Sequence, residues 1–249
     1  MAKQSGLIKI EGSIDDLSFY KTKRGNFIRK KGGVSRDRIL KDPKFRRTRE
    51  NGQEFVAMAA SSTLLTRALR LLTRNISDGT ARTRLMSVLA KIKNLDLTSD
   101  RGQRNVATGI NHPSAKVLLK GFSFGEGTVF DKIVQQKYTV DPLTGEITIN
   151  DLNPELHIEV PEGATHANFV GGWARVDFAS GNHELQLTNS VLVPLTNANN
   201  NLLLTPAASP TQAGVNLHLL KVEFVQELNG KTYALSNSTY NAMVVVDVI

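Results

Sequence analysis

The sequence predicts an α+β chain: a basic N-terminal β-hairpin and an antiparallel helix pair, followed by an antiparallel β-sandwich. Three observations carry this expectation. Short β-prone runs separated by Gly, Asn and Pro turns open the chain and fill its second half. Between them, leucines recur at helical spacing over residues 64–74 with arginines opposite. The charge is also divided along the chain. Residues 1–104 hold 24 Lys or Arg against 10 Asp or Glu, a net +14, and residues 105–249 hold 7 against 13, a net −6. Such a split suggests a division of labour between 1–105 and 106–249, and it lets the basic part of one copy lie against the acidic part of the next.

The first elements are strands. Leu7–Ile10, Leu17–Lys21 and Phe27–Lys31 are β-rich, and Lys23-Arg24-Gly25-Asn26 reads as a tight hairpin turn. Gly32-Gly33 ends the pattern. Asp42-Pro43 is a helix start, because Asp42 can cap free amides and Pro43 lacks only an N–H that the first helical position does not use. The helical pattern runs to about Asn75, with Gly52 an interior weak point whose effect on the helix the sequence leaves open. Leu64, Leu65, Ala68, Leu69, Leu71 and Leu72 share one arc, and Arg67, Arg70 and Arg74 face away from it. A second helix is expected from about Asp78 to Lys93, antiparallel to the first.

Beyond Leu97 the reading is a polar connector and then strands. These are Val117–Phe124, Phe130–Gln135, Tyr138–Val140, Glu146–Ile149, Leu156–Val160, Ala167–Phe178, Glu184–Val193, Val215–Gln226, Lys231–Leu235 and Ala242–Ile249. Asp141–Gly145 and Leu228–Gly230 are turn sequences, and Thr196–Gly214 reads as a long loop.

Composition excludes several chemistries. With no cysteine there are no disulfides, thiol nucleophiles or cysteine-ligated metals. No segment has the ~18 consecutive apolar residues of a membrane span, and the first 16 residues lack a signal peptide's apolar run. The expectation is a cytoplasmic protein, or one released in an assembled particle. His112, His157, His166, His183 and His218 show no metal-ligand spacing, and no Gly-x-Ser-x-Gly occurs. The Gly-rich stretch 121–127 and Lys31-Gly32-Gly33 both lack the spacing of a phosphate loop. No catalytic, cofactor-binding or metal-ligating residue is therefore assigned, and an enzyme is not expected.

The words Gly12–Ile14, Phe19–Lys21, Lys31–Ser35, Asp42–Asn51 and Arg101–Asn105 together form a pattern. On these words the first 105 residues or so resemble a family of uncharacterised bacterial proteins. The resemblance implies no activity and transfers no catalytic residue.

Residues 29–51 hold ten Lys or Arg and three Asp or Glu. Lys23, Arg24, Arg29, Lys30, Lys31, Arg36, Arg38, Lys44, Arg46, Arg47 and Arg49 are the candidates for contact with a polyanion or another subunit. Asp37, Asp42, Glu50 and Glu54 stand close by in sequence for pairing with these arginines. Leu17, Phe19 and Phe27, with Val244 and Val246 in the run "AMVVVDVI", are candidate assembly strands. The leading expectation is a non-enzymatic structural subunit of a self-assembling homo-oligomer, a shell, tube or filament with a coat-like layout and a basic arm. The alternative is a cytoplasmic nucleic-acid-binding protein using that basic half. The third is an adhesion or carbohydrate-binding module, which the single Trp173 does little to support.

Overall fold

The computed structural model describes residues 2–125, 129–235 and 238–249. The chain forms two compact units, Met1–Arg49 and Glu50–Ile249. The sequence places its division at 105/106 instead.

In the first unit, β1 (Ala2–Lys3), β2 (Gly12–Ile14), β3 (Leu17–Thr22) and β4 (Gly25–Lys30) form an antiparallel sheet in the order β1-β4-β3-β2. The β3–β4 turn falls at Lys23-Arg24, closed by the Thr22–Gly25 pair. Leu7–Ile10 is not a strand. The Gln4 side chain has taken the ladder groups of Ile10: its Oε1 accepts from the Ile10 N–H (2.9 Å) and its Nε2 donates to the Ile10 carbonyl (3.1 Å). Helix α1 (Arg36–Lys41) starts at Ser35, whose hydroxyl accepts from the Arg38 N–H. Asp42 does cap, accepting from the Lys44 N–H at 2.9 Å with Pro43 next, but the turn it starts is 3-10, and α2 (Arg46–Ala68) follows.

Helix α2 continues through Gly52 without a break. It ends where Leu69 departs from helical geometry, and α3 (Arg70–Thr73) and α4 (Ala81–Asn94) follow. Glu54, near the start of α2, bonds Lys93, near the end of α4, so these two helices are antiparallel, as their sequence pattern predicts. After α5 (Val106–Gly109) the sequence expectation of a strand at 117–124 gives way to α6 (Pro113–Leu119), with only β5 (Ser123–Phe124) extended. His112 explains this: its Nδ1 accepts from the Ser114 N–H (3.2 Å) and Pro113 sits at the first helical position. Two more expected strands are helical turns, α7 (Phe130–Ile133) and α8 (Pro154–His157), the latter capped by Asn153.

The remaining strands are β6 (Tyr138–Val140), β7 (Ile147–Leu152), β8 (His166–Val176), β9 (His183–Pro194), β10 (Asn200–Leu204), β11 (Val215–Leu228), β12 (Lys231–Ala234) and β13 (Ala242–Val248). Strand β10 lies within the stretch expected as a loop. The large antiparallel sheet has the order β5-β13-β11-β8-β9, with β12 paired to β11, and the small one has the order β10-β7-β6.

The large sheet is covered on both faces. Ala174, Val176, Leu217, Leu219, Met243 and Val245 pack with the leucines of α2 and α4. Ala167, Phe169, Leu220, Val222, Phe224 and Val244 pack with Ile147, Ile149, Leu202 and Leu204 of the small sheet. The alternation of β-strand side chains thus divides one sheet between a helical layer and a sandwich partner. That is why the helix pair belongs to the second unit. The helix end is pinned as well. The Lys221 Nζ donates to the Arg74 carbonyl (2.7 Å) and pairs with Glu223 (2.9 Å), while Asn241 donates to the Asn75 carbonyl (2.8 Å). Among the described residues, no helix is long and apolar enough to cross a membrane.

Candidate functional site

Unit 1 has little hydrophobic interior. Among its described residues the only buried one is Gln4, a polar side chain. Leu17 is exposed, Phe19 and Phe27 are half-buried, and Phe27 stacks on Tyr20 with centroids 6.1 Å apart. Ile8, Ile10 and Ile14 are exposed, and Leu7 is fully so. The Gln4–Ile10 bonds close the neck of a loop, and Lys9 reaches back from it to the Gln4 carbonyl (2.8 Å). Leu7 and Ile8 stand at its tip.

The predicted cations separate into free and engaged groups. Lys23 and Arg24 occupy the β3–β4 hairpin tip, and Arg36, Lys44 and Arg47 surround the starts of α1 and α2. All five are exposed, and none has an ion pair among the described residues. Arg29 lies over the Tyr20 ring at 5.6 Å. Lys30 meets Asp16 at 3.7 Å with both side chains largely in water, an arrangement that contributes little. Lys31 donates to the Asp15 carbonyl (3.0 Å), and Arg38 pairs with Asp42 (3.4 Å) beside the Phe45 ring. Arg46 is exposed. Arg49 is committed to structure: it donates to the carbonyls of Ile39 (2.7 Å) and Asp42 (3.0 Å). The first turn of α2 carries no acid and begins with two arginines, an unfavourable charge at the positive end of a helix dipole.

Val244 and Val246 do not offer an assembly strand. They are 1% and 8% exposed, and β13 lies inside the large sheet between β11 and β5. Beyond the pairs of β5 with Met243 and Val244, the Val245 N–H donates to the Phe122 carbonyl (2.9 Å) and its carbonyl accepts from the Gly121 N–H (2.8 Å); past Val245 the side of β13 away from β11 has no strand partner among the described residues. Across from it, β6 pairs only with β7. A groove of about 420 Å³ lies there, lined by Gly121, Tyr138, Thr139, Val140, Val245 and Val246 and by the Lys120–Asp247 pair (2.8 Å).

The sequence word Arg101–Asn105 has a structural explanation that sequence reasoning missed. The carboxylate of Glu54, 3% exposed, accepts from Arg104 Nε (2.8 Å) and Nη2 (2.9 Å), from the Gly102 N–H (2.9 Å) and from Lys93. Arg104 foremost, then Lys93 and Gly102, outweigh the cost of burial and hold Glu54 at about 2. Gly102 has φ +95°, and a Cβ there would meet Glu50 Cγ at 3.1 Å, so the approach needs glycine. Arg101 meets Glu50 (3.5 Å), and Asn105 caps α5. Burial would raise Asp96, but hydrogen bonds from Ser99, Asn105 and Thr98 hold it at about 2. Glu54 therefore does not serve the N-terminal arginines that its sequence position suggested.

Trp173 is buried. It donates to Asn216 Oδ1 (3.0 Å) and lies 5.2 Å from the His218 ring, so it presents no platform to a sugar. Among the described residues neither nitrogen of His218 has a hydrogen-bond partner, and burial lowers its pKa. In the Gly-rich stretch, Gly121 adopts φ +78° in a turn and the Gly125 N–H bonds Asp78 (2.9 Å); residues 126–128 lie outside the described residues. Among the described residues no three His, Cys, Asp or Glu side chains converge. No family model, curated protein or solved structure matches the chain.

Proposed function

We propose that this chain is a non-enzymatic structural subunit that assembles with copies of itself, its N-terminal unit docking on a neighbour. One observation carries the reading: a 49-residue unit with four strands has no buried apolar side chain among its described residues. A small sheet needs a hydrophobic face covered to be stable. Fully burying Leu7 and Ile8 would contribute about 1.5–3 kcal/mol each, and covering the rest of the half-exposed Ile10, Ile14 and Leu17 roughly half that each. Charge favours a copy as the cover. Residues 1–49 hold 15 Lys or Arg and 5 Asp or Glu, whereas 129–165 hold 2 and 7.

Light scattering on purified protein, with and without nuclease and at low and high salt, tests this. Particles that survive nuclease, and a monomer after deletion of residues 1–31, are expected. A wild type that stays monomeric at every concentration would sink the reading.

A second reading, polyanion binding, is favoured by Lys23, Arg24, Arg36, Lys44 and Arg47, exposed and without an ion pair among the described residues. It predicts particles that collapse with nuclease. It also predicts affinity that falls steeply with salt, since each neutralised phosphate releases a counterion.

A further inference from the structure

We propose that one face of the N-terminal sheet is a stacking site for single-stranded nucleic acid. This rests on the polyanion reading above and names its surface and its class of partner. Residues paired directly across two strands share a face, and neighbours along a strand alternate. The Ile14–Leu17 and Phe19–Ile28 pairs therefore put those four side chains on one face. The Lys3–Phe27, Tyr20–Phe27 and Ser18–Arg29 pairs put Lys3, Tyr20, Phe27 and Arg29 on the other. The first face is largely aliphatic. The second combines two rings with cations.

The side chains of the second face lie together. Tyr20 and Phe27 stack with centroids 6.1 Å apart and 29° between their planes, and the Arg29 guanidinium stands 5.6 Å from the centre of the Tyr20 ring. The Lys3 Cε is 3.3 Å from where a Cβ of Gly25 would stand, beside Phe27 on the same strand. Gln4 belongs to the opposite face, since its N–H donates to the Asn26 carbonyl (2.9 Å) one step past the Lys3–Phe27 pair. The one buried side chain among the unit's described residues thus lies away from the rings, which are only half-buried.

Charge and ring chemistry together select the partner. Residues 17–31 hold six Lys or Arg and no Asp or Glu, with the exposed Lys23 and Arg24 at the hairpin tip. The nearest acids in sequence are Glu11, ahead of β2, and Asp15 and Asp16 in the β2–β3 turn, at the end of the hairpin away from that tip. Asp16 meets Lys30, a residue of the aliphatic face (3.7 Å). An acidic peptide would satisfy the cations and leave the rings unused. A duplex keeps its base faces stacked inside. A single strand offers phosphates to the cations and open base faces to Tyr20 and Phe27.

The intact chain is titrated at low salt with labelled oligothymidylate of about 15 nucleotides and with an abasic strand of equal length. The abasic strand keeps the phosphates and lacks the bases, so it should bind at least about fivefold more weakly. Tyr20→Leu/Phe27→Leu keeps apolar bulk on the strands and removes the rings. It should erase the preference for bases and leave the affinity for the abasic strand unchanged. A variant of so small a unit can lose its fold, so an iodouracil-substituted strand is also photo-cross-linked to the wild type. The adduct should map to Tyr20 or Phe27. Oligouridylate run beside oligothymidylate separates RNA from DNA, and base-dependent affinity for either supports the site.

Equal affinity for the abasic and base-bearing strands, or adducts that map only elsewhere, overturns this face while leaving polyanion binding standing. Polyglutamate that competes as strongly as the oligonucleotide would reduce the interaction to charge and overturn stacking. No binding of any strand at low salt overturns both readings.

Discussion

Glu54→Gln should destabilise the second unit by about 3 kcal/mol, at the low end of the ~3–5 kcal/mol for breaking a buried ion pair. The magnitude follows from the surroundings. The carboxylate holds Arg104 through two bonds, the Gly102 N–H and Lys93, and an amide of the same shape can satisfy only part of that set. The Arg104 side chain is 27% exposed, so water recovers some of its loss, which argues for the lower value. In urea, with a slope of about 2 kcal/mol per M, the midpoint should fall by roughly 1.5 M. The difference should also depend on pH. The Glu54 pKa is about 2 in the folded state against an ordinary 4.5. Its contribution is thus fully present above 4.5 and is lost as pH falls toward 2. The gap between wild type and variant should narrow across that window. A midpoint shift below about 0.3 M at pH 7, or a gap that does not change between pH 6 and pH 3, would refute the view that this cluster holds the 95–105 loop onto α2.

Three further outcomes follow from the packing. Gly109→Ala should cost at least about 2 kcal/mol of thermal stability, because its Cβ would lie 2.1 Å from the Ile92 carbonyl oxygen. Lys221→Met should cost about 1–3 kcal/mol in denaturant titrations, because it strips the cation from the Arg74 carbonyl at the helix end. His218→Leu should raise the melting temperature, with the largest gain in acid. The unfolded imidazole takes up a proton below its ordinary 6.5 while the buried one resists, so wild-type stability falls as pH drops through 6.5 and the variant's does not.

Local signals made much of the fold legible. Leucines at helical spacing marked the existence of α2 and α4, although α2 starts four residues after Asp42 and ends at Ala68 rather than Asn75, and α4 starts three residues after Asp78; alternation gave β8, β9, β11 and β13. Several misses were short elements in which capping overrode β propensity, whereas α7 has no side-chain cap, β10 lay in an expected loop and Leu7–Ile10 lost its ladder groups to Gln4. His112-Pro113 and Asn153-Pro154 each start a helical turn in a run rich in Val, Leu and Ile. Long-range pairing was invisible for a different reason. Glu54 and Arg104 stand fifty positions apart, and nothing local marks an acid that will be buried. The word "RGQRN" was the available signal. It lies against the Glu50–Glu54 stretch of α2. The cations of 23–49 were legible as a cluster. Which of them were already engaged, Arg49 above all, depended on backbone carbonyls that a sequence does not display.

The two-faced large sheet has a consequence for how this protein can be divided. Cutting at 105/106 would strip α2 and α4 from β8, β11 and β13 and leave the face of Ala174, Leu217, Leu219, Met243 and Val245 covered only by what α5 and α6 supply. A fragment of that kind would stick to itself through a surface the intact chain never presents. Residues 106–249 are therefore not a portable module, and any shuffling of this architecture between proteins has to carry the helix pair along with the sheet.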